Sequence, residues 1–284
     1  MSDLISLDAN HADAETLRHS PEAPLSLSNQ NDHFDRLAGQ PQYRHFVRIP
    51  ARIARCLDYF DVLGDRAAAE ETLLAYYVFI GVVDQAFDSG DPMTATIVFN
   101  RLKTLVVDHT ATTDVGLVTE RLKSHVDDAL HQILLDKLHD LYDTVLDERR
   151  ADSIESYIES RKHLGRLTAE LSYLLIRPAL RSEHPELREF MEEVGAIGCL
   201  VDSVVDLRID RRRGLLNFEL TLLNQFKLLL STISAGLSIS LAHPRLLGLF
   251  AQAIADSIRD RFNRMDTAGP RLANQIRSEV ARVG

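Results

Sequence analysis

Aspartates four residues apart place both carboxylates on one face of a helix, and this chain holds seven such pairs among its 26 aspartates. Chance alone gives about two in a chain of this composition, and most such pairs are solvated helix faces. Two groups differ in their setting. Asp84 and Asp88 close the almost wholly apolar run that starts at Tyr76 and passes through Phe79, Ile80 and Val83. Asp202, Asp206 and Asp210 follow a second apolar run, 194–201, at steps of four that drift only about 40° each around a helix. Like charges so spaced destabilise an exposed helix by about 0.2–0.5 kcal/mol per pair, and burial among apolar side chains multiplies the cost. Raised carboxyl pKa values or bound cations relieve it. With no nitrogen or sulfur ligand beside them, these carboxylates suit a hard, oxygen-seeking ion, Mg²⁺ first and Mn²⁺ second. Mg²⁺ in turn keeps waters and shares its remaining positions with substrate phosphates.

The elements that must carry these groups are helical nearly everywhere from about Gln42 onward. Apolar residues recur at three- and four-residue spacing through 117–145, at Leu117, Leu122, Val126, Leu130, Leu134, Leu138, Leu141 and Val145. Glycine, proline and polar clusters punctuate the pattern and predict helices over 50–62, 66–88, 94–108, 115–132, 134–150, 153–181, 185–212, 217–241 and 245–264. Pro178 predicts a kink in the 153–181 helix, because it removes a backbone donor and crowds the preceding turn. No alternating strand run, solenoid repeat or linker-like composition shift divides the chain. The reading is an all-α fold with one domain over 39–284, preceded by a polar, unpatterned and disordered arm over 1–38.

Composition narrows the chemistry. The 284 residues carry 32 basic and 42 acidic side chains, a net charge of −10, which argues against a nucleic-acid coat because phosphate binding needs a basic face. An anionic substrate stays open where cations mediate the contact. Cys56 and Cys199 are the only cysteines, too few for a disulfide framework, and a reducing, cytoplasmic setting fits. The N-terminus lacks a basic stretch followed by an apolar one, so no secretory signal is expected. The most apolar segment, 226–241, is broken by Ser231, Thr232, Ser234, Gly236, Ser238 and Ser240, and reads as a buried core helix rather than an integral membrane segment. The eleven histidines form no HExxH signature, and phosphate loops of the GxGxxG or GxxxxGK[ST] kind are absent. Asp128 with His131 and Asp136 with His139 imitate the carboxylate–histidine units of di-iron bundles, but sit on neighbouring turns rather than separate helices. A helical interaction protein with acidic faces is the non-enzymatic alternative.

On its two carboxylate groups the chain resembles class I terpene synthases, of the single-domain bacterial kind. Asp84-Gln85-Ala86-Phe87-Asp88 is similar to their aspartate-rich motif, in a DxxxD form. Asp202, Asp206 and Asp210 keep the spacing of their second metal-binding triad, with aspartate at all three places. Arg213-Gly214 and Leu216-Asn217-Phe218 look like the arginine–glycine and asparagine that often follow it. The all-aspartate triad followed by LNF is most similar to the tetraprenyl-β-curcumene synthase type. A DxxxD on each side also resembles squalene and phytoene synthases, which couple two prenyl diphosphates. Arg161, in Ser156-Tyr157-Ile158-Glu159-Ser160-Arg161, looks like the diphosphate-sensing arginine, with Lys162 and Arg166 as alternatives. The pattern departs from the family at Val83, where an adjacent aspartate is common, in having no tryptophan, and in lacking a C-terminal Arg-Tyr pair.

The resemblance implies an antiparallel helical bundle around a central apolar cavity, with a homodimer compatible. It implies three Mg²⁺ ions, two on Asp84 and Asp88 and one on Asp202, Asp206 and Asp210. These ions, with Arg161 and Arg213, would stabilise charge on the diphosphate leaving a prenyl substrate. Asn217 would touch the substrate site. Phe60, Tyr77, Phe79, Phe87 and Tyr173 would wall the cavity, each ring face attracting a carbocation by about 0.5–2 kcal/mol.

Overall fold

The computed structural model describes residues 27–88, 93–212 and 214–246, with 248, 251, 252 and 255. Nine α-helices appear among them: α1 (Leu27–Ala38), α2 (Arg44–Phe60), α3 (Arg66–Asp88), α4 (Thr94–Leu102), α5 (Asp114–Lys123), α6 (Asp128–Arg150), α7 (Ile154–Ile176), α8 (Pro185–Arg212) and α9 (Leu222–Ala242). Short 3₁₀ turns lie at Pro41–Tyr43, Arg177–Ala179 and Pro244–Leu246, and no strand occurs among the described residues.

Local chemistry sets many of the boundaries. Thr113, Asp127, Ser153 and Thr221 each stand just before a helix and accept a hydrogen bond from a backbone N–H of its first turn. At Ser153 the bond is reciprocated by Ser156, a capping box. Helix α8 stops where Gly214 adopts φ 72°, so that Gly214 N donates to Arg211 O and Leu215 N to Asp210 O, both at 3.0 Å. This closing pattern needs the left-handed backbone that glycine adopts without strain.

Helix α3 is the hub. Thr72, Leu73, Tyr76, Tyr77, Val78, Phe79 and Val82 are all buried in it, and α2, α5 and α7 pack around it. Its Gly81 is pressed against the Phe46 ring of α2, which a Cβ would meet at 2.6 Å. Helices α7 and α8 make the most extensive pairing and cross closely enough for Gly165 and Gly195 to touch backbone to backbone. The main core holds Leu57, Leu73, Tyr76, Leu122, Leu171 and Ile176. A second cluster, with Ile154, Tyr157, Leu200, Leu207 and Leu228, joins the start of α7 to the end of α8 and to α9.

Several predicted elements are corrected. The arm expected over 1–38 is folded from residue 27, because α1 inserts Phe34 and Leu37 into the main core; residues 1–26 lie outside those described. Helix α4 ends at Leu102 rather than 108. The loop after it is captured by polar groups of its neighbours: Asp108 N donates to Glu120, Lys123 Nζ to the Val106 carbonyl, and Arg101 to Asp108. Glu120 and Lys123 are themselves buried and paired at 2.9 Å. The periodic stretch 117–145 breaks at 124–127, where Asp127 caps α6, and not near 133. Pro178 does not kink α7 but ends it, and the 3₁₀ turn there lends the Ala179 carbonyl to Gly64 N and Asp65 N at 2.9 and 3.0 Å. The predicted helix 245–264 lies mostly outside the described residues.

Helix α9 differs most from expectation. It is not a buried core helix: of its side chains only Leu228, Thr232 and Ile239 are buried, while Leu222, Phe226, Leu230 and Leu241 stand 54–82% exposed. Three of its serines, Ser231, Ser234 and Ser238, fall within about 60° of one another at 3.6 residues per turn, and Ser240 lies on the opposite side. It is the one helix among the described residues long and apolar enough to cross a membrane, at 21 residues.

Candidate active site

Helices α2, α3, α4, α6, α7, α8 and α9 line a half-open cavity of about 830 Å³. Its wall is chiefly apolar, with Phe46, Ile49, Ile80, Val83, Phe99 and Phe190 among its members. The charged side chains on it are Asp84 from α3, Asp202 from α8, Arg161 from α7 and Arg52 from α2, joined by His45. Asp84, from the end of the apolar run of α3, is exposed at the edge, whereas Asp202 is half-buried. His45 Nε2 lies 3.7 Å from Asp202 Oδ2.

Arg161 is fixed on three sides. Its Nε donates to Ser203 Oγ at 2.7 Å, Nη1 to the two oxygens of Glu148 at 3.2 and 3.3 Å, and Nη2 to the Cys199 carbonyl at 3.3 Å. Burial works against its charge, and the Glu148 carboxylate more than offsets that, holding the guanidinium well above the ordinary arginine range. Lys162 and Arg166 turn toward Glu159 instead, at 3.8 and 3.9 Å, and neither lines the cavity. Burial also pushes the Cys56 and Cys199 thiols up to about 11 and the Tyr77 hydroxyl up to about 12, so all three are neutral at physiological pH.

Of the sequence-predicted site residues, Asp84, Asp202, Arg161, Tyr77, Phe79 and Phe87 come together on this wall. Others do not. Asp88 faces Arg149 of α6, whose Nη2 donates to its Oδ1 at 3.3 Å. Asn217 does not reach the cavity either, since its amide donates to the Arg149 carbonyl and so braces that arginine from behind. Asp206 and Asp210 lie along the partly covered flank of α8, beside the face that buries Ser203 and Leu207. Phe60 is a packing residue, edge-on to Phe190 at 5.0 Å, and it is Phe190 that forms the wall. Tyr173 is buried in the main core, where its hydroxyl accepts from His184 N. Arg213 lies outside the described residues.

His45, Arg52, Glu148 and Arg149 carry no signal in the sequence. His45 and Arg52 sit on an ordinary amphipathic helix, and Glu148 and Arg149 read as plain polar residues near a helix end. Their partners lie far away in the chain, 61 positions for Arg149 and Asp88.

Among the described residues no three histidine, cysteine, aspartate or glutamate side chains converge to hold a metal ion. Of the five carboxylates, Asp84 and Asp202 are on the cavity wall, Asp88 pairs with Arg149, and Asp206 and Asp210 are not among the wall residues. The di-iron imitation does not assemble either: the His139 ring stacks on Phe99 at 3.9 Å and Asp136 accepts from Gln132. What remains on the cavity is two carboxylates, Asp84 and Asp202. These are the carboxylates of the described wall that could serve as Mg²⁺ ligands, with waters and a substrate phosphate needed to complete the sphere. Calorimetry should accordingly show Mg²⁺ binding weakly by itself and about tenfold or more tighter with inorganic diphosphate present. Equal affinity in both titrations would contradict it.

Comparison of the chain with protein-family models, curated proteins and solved structures returned no match.

Proposed function

We propose that the protein is an Mg²⁺-dependent terpene synthase of class I type, which ionises a prenyl diphosphate and releases diphosphate and a terpene product. The observation that carries this reading is the placing of Asp84, Arg161 and Asp202, from three different helices, on one cavity whose remaining wall is mostly hydrocarbon.

Charge explains the metal requirement. The described wall sets two carboxylates, Asp84 and Asp202, against two guanidiniums, Arg52 and Arg161. It therefore offers no net positive field to a diphosphate, and a divalent ion must bring it. When bound, Mg²⁺ offsets the charge that develops on the departing diphosphate. Arg161 contributes a guanidinium whose orientation is set by Ser203, Glu148 and the Cys199 carbonyl before substrate arrives, so little reorganisation accompanies the reaction. Arg149 holds Asp88 beside the Asp84 turn.

The rest of the wall protects what is left after diphosphate departs. Phe79, Phe87 and Tyr77 present aromatic rings, and the Tyr77 hydroxyl is tied to Ser172 Oγ at 2.9 Å. A hydroxyl so bonded and with its pKa pushed up to about 12 is a poor nucleophile or base. The ring faces stabilise a cation while the apolar side chains keep water from quenching it.

Incubation with allylic prenyl diphosphates tests this directly. Diphosphate release and hydrocarbon products should appear with Mg²⁺ and cease on chelation. Absence of diphosphate release with Mg²⁺ and with Mn²⁺, across the ten- to twenty-five-carbon substrates, would refute the assignment.

A further inference from the structure

Arg161 is a wall residue of the cavity, but the carboxylate that pairs with it, Glu148 of α6, is not. Ser203 Oγ and the Cys199 carbonyl accept from Nε and Nη2, and both are neutral. Glu148 adds a full negative charge on the third side, through both of its oxygens to Nη1. The two side chains are only 19% and 18% exposed, so water and salt screen the pair weakly. That carboxylate keeps Arg161 charged despite its burial, and it also cancels much of the field the guanidinium would send into the cavity. Its seat is firm. Glu148 lies in the last turn of α6, where Ala151 N donates to its carbonyl at 3.1 Å. The Asn217 amide donates to the next carbonyl, that of Arg149.

Resting on the terpene synthase reading, we infer that Glu148 is a positioning residue that also sets selectivity: it aims Arg161 at the metal complex of the diphosphate and withholds its charge from the free anion. Of the five N–H bonds of a guanidinium, at least three are engaged by Ser203, Glu148 and Cys199. At most two, on the Nη nitrogens, are left for phosphate oxygens, and their direction is fixed by the bonds already made. Charge acts in the same sense. With Glu148 included, the described groups at this end of the cavity comprise three carboxylates, Asp84, Asp202 and Glu148, against the two guanidiniums Arg52 and Arg161. Free diphosphate therefore meets a net negative site, whereas its Mg²⁺ complex, with two of its charges offset, is repelled less. Substrate is recognised as the metal complex, and diphosphate without metal is turned away.

The test sets calorimetry of inorganic diphosphate without metal beside steady-state kinetics with Mg²⁺, on wild type, Glu148→Gln, Glu148→Asp and the double variant Glu148→Gln/Arg161→Gln. Glutamine keeps the shape and an acceptor oxygen and removes the charge. Glu148→Gln should accordingly bind metal-free diphosphate about tenfold tighter, with the gain shrinking at high salt. Its kcat should fall about tenfold while KM does not rise, the split expected when orientation rather than binding is lost. Glu148→Asp keeps the charge on a shorter stem. It should hold diphosphate affinity within about twofold of wild type and still lower kcat, and should the glutamine variant fail to fold, an unchanged kcat here overturns the inference. The double variant should lose the gain in diphosphate affinity, because the guanidinium that produces it is gone. Affinity unchanged or weaker in Glu148→Gln, or a gain that persists without Arg161, overturns the inference even if wild type consumes prenyl diphosphates. Conversely, tighter diphosphate binding by Glu148→Gln with no turnover by wild type upholds Glu148 as the counter-charge of Arg161 and refutes the terpene synthase reading.

Discussion

Asp202→Asn should lower metal-dependent turnover by about 10²–10³-fold, the size seen when one preorganised electrostatic partner is removed from a reacting centre. The substitution keeps shape and hydrogen-bonding capacity and deletes only the charge. Asp202 is half-buried in the wall within 3.7 Å of His45, while Asp84 is the other wall carboxylate. With two carboxylates available there, losing one leaves a single anchor for a divalent ion. The wall would then carry two guanidiniums against one carboxylate, so metal-free diphosphate should bind slightly better even as turnover collapses. That opposite movement, read by calorimetry beside the kinetic assay, separates a charge effect from misfolding. A scaffold protein with ornamental acidic faces would show neither change. Asp88→Asn is the internal contrast: its carboxylate is engaged by Arg149 outside the cavity, and its loss should be felt less than that of Asp202.

The second large effect is on stability. Gly165→Ala or Gly195→Ala should lower stability by about 3 kcal/mol or more, beyond the usual cost of overpacking. A Cβ at Gly165 falls 2.3 Å from the Gly195 carbonyl oxygen and 2.8 Å from the Ala196 Cα, and a Cβ at Gly195 meets the Gly165 carbonyl at 2.3 Å. No rotamer can relieve a collision with backbone, so the helices must part, and with them the closest pairing in the fold. At about 2–4 °C per kcal/mol for a chain of this size, Tm should fall by roughly 6–12 °C. A Gly165→Ala protein melting within about 2 °C of wild type would show that α7 and α8 can separate freely.

Much of the scaffold was legible in residue order, and the reason is visible in where prediction and structure part. The bounds 66–88 and 185–212 agree with α3 and α8 residue for residue. In both, local punctuation does the work: a polar turn precedes the helix, and α8 ends in glycine. Helix α1 was missed because its contribution to the core rests on only two large side chains, Phe34 and Leu37, amid polar residues. The end of α4 was misjudged because its loop is held by Glu120 and Lys123, partners that no window around residue 105 contains. Burial of α9 was overestimated because apolar composition says nothing of how many neighbours a helix finds. In the site, the carboxylate pairs stand out by spacing on one helix at a time. Which of those carboxylates share a cavity depends on helix crossings, and spacing alone gave Asp88, Asp206 and Asp210 the same weight as Asp84 and Asp202. Arg161 stood out only through its neighbours in the chain, whereas its real definition is the grip of Ser203, Glu148 and Cys199.

The bare meeting of α7 and α8 also bears on how such a protein could diversify. Arg161 rides one partner of that crossing and Asp202 the other, so widening or sliding the joint would also move these two wall residues apart. Change is easier at Gly198 and Gly236, where an added Cβ meets no described atom within 4 Å. Random libraries selected for new products should therefore accumulate winners at 198 and 236 and return 165 and 195 untouched.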